Sequence, residues 1–212
     1  MKKLFLSAVV LFTATAIANA QSDSTTPQLG IKGGLNSSSI TSDDFGDTKS
    51  RTSFNVGLLA EIPLSERISI QPELLYSGQG FDIEERDQDN IFDTDENIEY
   101  QLDYIQVPVL LKLYLVKGLS VEAGPQFGFK IHEEIDYQPN ADGGDVEISE
   151  DDSYVKDVDT GVALGASYKF DSGFFINGRY TIGLTDIYKD DTIFQNVDAK
   201  NKVWQVGLGF MF

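Results

Sequence analysis

Residues 202–212 read KVWQVGLGFMF, and this stretch decides the fold. Trp204 and every second residue after it, up to Phe212, is apolar, whereas Gln205, Gly207 and Gly209 alternate with this set. A period of two is typical of a β-strand whose two faces meet different surroundings. The same alternation occurs in residues 68–80, 158–170 and 174–186, and the apolar set of all four segments contains no charged residue.

The polar set of these segments indicates which face points inward. It is rich in glycine and other small residues, which suit a narrow interior, and it carries too few charges for a water-exposed surface. A soluble barrel such as a lipocalin would need its apolar set inside and a charged exterior. Apolar outside and polar inside is the pattern of a transmembrane β-barrel.

Eight such segments follow one another along the chain. We place them at residues 29–36, 54–62, 68–80, 99–115, 119–131, 158–170, 174–186 and 202–212. Long connections (37–51, 81–98, 132–157 and 187–201) alternate with short, turn-like ones (63–67, 116–118 and 171–173). The sequence therefore predicts an all-β fold, an eight-stranded antiparallel up-and-down barrel over residues 29–212, with four long extracellular loops and short periplasmic turns.

The N-terminus predicts export. Lys2 and Lys3 precede an apolar run, and Ala18-Asn19-Ala20 forms an A-x-A cleavage site, so residues 1–20 are predicted to be a cleaved signal peptide. Residues 21–28 then form a short periplasmic lead-in. Because residues 1–20 contain two lysines and no acid, cleavage takes the net charge from −18 to −20. Such a charge argues against nucleic acid as a partner, and the lack of cysteine excludes a disulfide scaffold.

The fourth segment departs from simple alternation. Tyr100, Leu102 and Tyr104 are in one phase, and the apolar residues from Ile105 to Leu113 are in the other. A β-bulge near Tyr104–Ile105 would restore the faces. A continuous apolar run is the alternative.

Eight charged side chains belong to the face that the alternation predicts to point inward. They are Lys32, Glu61, Glu73, Lys112, Glu122, Lys130, Lys169 and Arg179. Unpaired buried charges are costly, so these groups are predicted to neutralise one another as a plug in the lumen. A proton or ion path is the functional alternative.

Two of the long connections hold most of the acid. Residues 81–98 contain eight Asp and Glu, and residues 132–157 contain ten of the 34 in the chain. Such runs are usually solvated. Asp87, Asp89, Asp93 and Asp95 are weak candidates for Ca²⁺ ligands, although their spacing does not match an EF-hand loop. Otherwise no metal site, cofactor or catalytic residue is predicted.

His132 is the only histidine, and it falls beside Glu133 and Glu134 at the outer rim of the fifth segment. A surface histidine in an acidic loop is the expected role. A lipid-modifying barrel enzyme that uses a histidine with serine or aspartate partners is the alternative.

Four motifs resemble the PorT-like family of outer-membrane β-barrels. They are GIKGGLN at 30–36, QPELLY at 71–76, YIQVPVLLK at 104–112 and VEAGPQ at 121–126, and the closing FMF at 210–212 completes the pattern. The resemblance implies an eight-stranded barrel in the outer membrane of a Gram-negative bacterium and implies no catalytic residues. The family's namesake is linked to protein secretion and gliding, a role that fold similarity alone does not transfer.

The sequence therefore predicts a non-enzymatic integral outer-membrane protein with a structural or interaction role. An accessory of a secretion or gliding apparatus and a lipid-modifying enzyme are the alternatives. The expected partners are outer-membrane lipid and the barrel assembly machinery, which reads the terminal Phe210 and Phe212 in the class that the chain resembles. Secretion-machinery or other envelope proteins are further candidates.

Overall fold

The computed structural model describes residues 26–42, 46–47, 49–85, 96–136, 145–148, 153–189 and 199–212. Eight long strands form the barrel. In chain order, β1 to β8 are Gln28–Ser42, Lys49–Pro63, Ile68–Glu85, Glu96–Val116, Leu119–Asp136, Val158–Lys169, Phe174–Asp186 and Ala199–Met211. Two short strands lie beside them: Gly46–Asp47 pairs with β1, and Asp145–Glu147 pairs with β5.

Each strand pairs antiparallel with its sequence neighbours, and β1 pairs with β8 to close the ring. The closing ladder runs from Gly30 opposite Met211 to Ser42 opposite Ala199. A closed ladder leaves no edge, so the backbone N–H and C=O groups of the ring find partners without water. The predicted fold class is confirmed.

The connections differ at the two ends of the barrel. At the end that we call the turn end, Gly118 and Gly173 adopt φ of +83° and +88°, a conformation that side chains disfavour and that allows tight reversals. There Lys117 donates to Asp171, and this hydrogen bond raises the pKa of Lys117. At the opposite, loop end, strand pairing continues into the segments predicted as loops: β1 reaches Ser42, β3 reaches Glu85 and β5 reaches Asp136.

The outer face is apolar, as the alternation predicts. On β8 the side chains of Trp204, Val206, Leu208, Phe210 and Phe212 are all exposed. Aromatic contacts lie on this face toward both ends: the rings of Tyr180 and Trp204 stack 4.5 Å apart, and those of Phe210 and Phe212 meet at 5.6 Å. An apolar band between two aromatic girdles is the exterior of a membrane barrel. The described segments contain no helix that is long and apolar enough to cross a membrane.

The predicted bulge near Tyr104–Ile105 is wrong, and so is the alternative of an uninterrupted apolar run. β4 keeps its alternation, and Leu102 and Tyr104 point into the barrel, where both are buried. The register shift lies in β5 instead, because Asp103 pairs with His132 while Tyr104 pairs with Lys130. Leu102 and Tyr104 can face inward because the lumen near the loop end is apolar: both pack against the buried Val155.

Candidate functional site

The lumen contains the densest set of charged contacts among the described residues, and Arg179 lies at its centre. This side chain projects from β7 and is 1% exposed. Its Nη1 and Nη2 donate to the two carboxylate oxygens of Glu73 at 2.8 and 2.7 Å, and its Nε and Nη2 donate to Glu122 Oε1 at 3.0 and 2.8 Å. Lys32 Nζ also donates to Glu73, at 3.3 Å. A guanidinium held by two carboxylates in this way is fixed in position as well as in charge.

Glu61 organises the second half of this network. Lys112 and Lys169 each donate to Glu61 Oε2 at 3.4 Å, and the Tyr114 hydroxyl donates to Oε1 at 2.5 Å. Gln71 joins the two halves because its amide donates to Glu73 and its carbonyl accepts from Lys112. We call the seven charged residues of this network the ion cluster: Lys32, Glu61, Glu73, Lys112, Glu122, Lys169 and Arg179.

The contacts of the ion cluster cross the full width of the barrel. Arg179 on β7 reaches Glu73 on β3, and Lys169 on β6 reaches Glu61 on β2. In a ring of eight strands these are opposite walls. A cavity of about 10 Å³ lies among these side chains, which is room for about one water molecule. The cluster therefore fills the lumen rather than lining a channel.

A layer of amide side chains lies next to the ion cluster, around Asn36. Its Oδ1 accepts from Asn55 at 2.6 Å and from Gln205 at 3.1 Å, and its Nδ2 donates to Ser77 Oγ at 3.0 Å. These side chains come from strands β1, β2, β3 and β8. This layer is neutral, and it adds cross-strand hydrogen bonds to the ion pairs.

Lys130, the eighth charged residue predicted for the lumen, lies apart from the other seven. Its Nζ donates to Glu133 at 2.5 Å, to Ser153 Oγ at 2.5 Å and to the carbonyl of Val155 at 2.9 Å. Ser153 donates to the same Glu133 carboxylate, and so does the Tyr100 hydroxyl. We call this group of Lys130, Glu133 and Ser153 the clamp.

The clamp holds residues 153–157, which we call the strap, across the loop end, with Ser153 and Val155 buried and Tyr154 and Asp157 exposed. Val155 is 1% exposed and packs with Leu102 and Tyr104, and it also pairs with Tyr188 as an isolated bridge. The register shift described above adds one residue to β5. Lys130 and Glu133 can therefore both face the lumen although they are three positions apart, which allows the clamp to form. Sequence reasoning missed Glu133 and Ser153, since both fall in a predicted loop.

A serine beside a lysine also raises the question of catalysis. Lys130 Nζ donates to the Ser153 hydroxyl at 2.5 Å. The hydroxyl in turn donates to Glu133. The Ser153 oxygen is thus held between Lys130 Nζ and the Glu133 carboxylate.

The remaining predicted residues lie away from the lumen sites. His132 lies on β5, and its Nε2 is 2.9 Å from Glu134 Oε2; no serine of the described segments is hydrogen-bonded to it. Phe212 is exposed at the turn end, and its backbone N–H donates to the carbonyl of Leu29 at 2.8 Å. Asp87, Asp89, Asp93 and Asp95 lie outside the described residues, and the described part of the chain contains no group of acidic or histidine side chains that could hold a metal.

Comparison with known proteins adds to this geometry. Residues 19–189 match the model of a family described as the outer membrane protein beta-barrel domain. The chain belongs to this family. That membership and the apolar exterior identify it as an outer-membrane β-barrel protein.

The solved structures that are similar to the chain have low sequence identity to it. Neisserial surface protein A is 11% identical, with a TM-score of 0.57 over 87% of this chain and 97% of that one. Ail of Yersinia pestis is 16% identical, with a TM-score of 0.47 over 88% and 99%. OprG of Pseudomonas aeruginosa is 15% identical, with a TM-score of 0.40 over 89% and 97%. At these identities the likeness concerns the fold alone. No curated protein sequence matches the chain significantly.

Proposed function

We propose that this protein is a non-enzymatic barrel of the Gram-negative outer membrane, with a structural or interaction role, whose lumen is sealed and whose loop end faces outside. The observation that carries the proposal is the ion cluster. It joins opposite walls of the barrel through Arg179 and Glu73, at 2.7 and 2.8 Å. A protein sealed in this way acts through its surfaces, because no solute path of useful width crosses the ion cluster.

The proposed orientation and biogenesis rest on the ends of the chain. Residues 1–20 are proposed to be removed on export, which leaves both termini at the turn end, in the periplasm. Phe212 closes the barrel against Leu29 and is proposed to be read by the assembly machinery together with Phe210. Outer-membrane lipid then surrounds the apolar face.

The finer alternatives differ in their support. A role beside a secretion or gliding apparatus, with a further envelope protein as partner, rests only on the four motifs that resemble the PorT-like family, and fold similarity alone does not transfer that role. A lipid-modifying enzyme would need His132 to be near a nucleophile. Because His132 contacts Glu134 and no described serine, the non-enzymatic role is the better supported.

The test is the topology of the intact cell. A recognition sequence for a specific protease inserted after Gly143, between β5 and β6, should be cut when protease is added to intact cells. The matched insertion after Ser172, in a turn at the opposite end, should be cut only after the outer membrane is opened. Cutting at the second site in intact cells would invert the proposed orientation.

The sealed lumen has a separate test. Purified protein in a planar bilayer should show no porin-like conductance, because the ion cluster leaves only a cavity of about 10 Å³. Steady passage of ions by the wild-type chain would overturn the sealed-barrel proposal, whatever the orientation.

A further inference from the structure

The outer face of the seam between β8 and β1 changes from apolar to polar and basic residues at the position of Trp204. On the membrane side of that level, Leu35 and Val206 lie opposite each other and are 64% and 69% exposed. One step toward the loop end, Ser37 lies opposite Trp204. Beyond Trp204 the outward residues are Lys202 and Lys200 on β8, opposite Ser39 and Thr41 on β1.

Distances along the strand place the two lysines at the membrane boundary. From Phe212 to Trp204 the apolar face of β8 extends about 27 Å along the strand at the usual rise per residue, which is about 20 Å of membrane depth for a strand tilted by about 40° and so covers most of the apolar band, about 25 Å tall, of a membrane barrel. Trp204, stacked on Tyr180, has the place of an interfacial aromatic residue. Lys202 and Lys200 follow at about 7 and 14 Å beyond it, at the level of the lipid headgroups.

Both lysines are available for an external partner. Neither forms an ion pair or a side-chain hydrogen bond with another residue in the described parts of the chain. By contrast, Arg51 at the same end of β2 is paired with Glu99. Across the ladder to β7, Lys200 lies opposite Asp186 and Lys202 lies opposite Ile182. One carboxylate therefore neighbours the two ammonium groups, but no salt bridge joins it to either lysine in the described parts of the chain, which leaves both lysines able to contact an external anion.

The opposite side of the loop end is acidic. On β4 and β5 the Asp103 carboxylate accepts from Tyr76 at 2.8 Å, and Glu134 lies against His132. An anionic headgroup is therefore repelled from the β4–β5 side and attracted to the β8–β1 seam.

We propose that this seam binds a phosphate-bearing glycolipid of the outer leaflet. Lys200 and Lys202 would contact its phosphate groups as point charges, and the hydroxyls of Ser37 and Ser39 would contact its sugar. Trp204 and Val206 would lie against its acyl chains. The inference rests on the proposed function in one respect, because the loop end must face outside for this lipid to meet the seam.

The test measures lipid binding by the full mature chain extracted in detergent, by native mass spectrometry with purified diphosphoryl lipid A as the probe. Each lysine near an anionic lipid surface is worth about 1 kcal/mol, so the variant K200Q/K202Q should bind about thirty-fold more weakly than wild type. The matched control is R67Q/K117Q, which removes the same charge from exposed positions at the turn end. It should bind lipid A as wild type does.

Each arm of the experiment has a decisive outcome. Equal loss in both double variants, or equal binding of lipid A stripped of its phosphates, would overturn the proposal. Equal binding of phosphatidylglycerol, with the same loss in K200Q/K202Q, would overturn the choice of a glycolipid. Heat-dependent migration on detergent gels confirms that each variant is folded. The affinity is measured in detergent, so it does not depend on the orientation of the protein in cells. A wrong orientation would show in the protease test and not in this binding assay.

Discussion

Replacing Arg179 by methionine tests whether the ion cluster holds the barrel together. The guanidinium makes two contacts with Glu73 and two with Glu122 from a side chain that is 1% exposed. Without it, Glu73 keeps Lys32 and Gln71, but Glu122 keeps no hydrogen-bond partner among the described residues. Removing one partner from a buried ion pair costs about 3–5 kcal/mol, because the other charge stays buried and unpaired. Arg179→Met should lower the free energy of unfolding by that amount.

The assay is urea unfolding of the refolded barrel in detergent, followed through the fluorescence of Trp204, the single tryptophan. The double variant Arg179→Met with Glu122→Gln is the control, because it removes the unpaired charge together with its partner. It should recover part of the loss. A loss below about 1 kcal/mol for Arg179→Met, or a double variant no more stable than the single one, would refute the reasoning. Arg179→Met should also open no large conductance, since the neighbouring side chains still fill the lumen.

Three further predictions concern the ends of the barrel. Lys130→Met should speed hydrogen exchange of the backbone amides of residues 153–157 while the β1–β8 ladder stays protected, because the clamp holds only the strap; equal acceleration in both would show that the clamp supports the whole barrel. Deleting Phe212 should lower the amount of assembled protein in cells much more than the stability of barrels refolded in detergent, since assembly depends on recognition as well as packing; equal losses would make Phe212 an interfacial anchor only. A calcium chelator should leave the free energy of unfolding of the barrel unchanged, because the four candidate aspartates at positions 87–95 lie between β3 and β4 in the sequence. Calorimetry that detects no Ca²⁺ uptake would show that these aspartates are merely solvated.

The number of strands, their order and their faces could all be predicted from the amino-acid sequence. These features are local: side chains alternate with a period of two along a strand, and glycine at positions such as 118 and 173 marks a tight reversal. The alternation in residues 202–212 therefore indicated correctly which side chains point outward. The same alternation in the other strands predicted an inward position for the seven residues of the ion cluster, because each of them belongs to the inward set of its strand.

The pairing of these charges, by contrast, depends on the closed barrel. Arg179 and Glu73 are 106 positions apart, and their contact depends on ring closure and on the stagger between strands, which no local pattern encodes. The same reason explains the errors near the loop end. A period of two reads the change of apolar phase within β4 as a bulge, whereas in the structure Leu102 and Tyr104 point into an apolar part of the lumen beside Val155. The strap at 153–157 reads as a polar loop until folding brings Ser153 to Lys130, 23 positions away. Side-chain direction is fixed by neighbours in the chain, whereas pairing across a lumen is fixed by the geometry of the closed barrel.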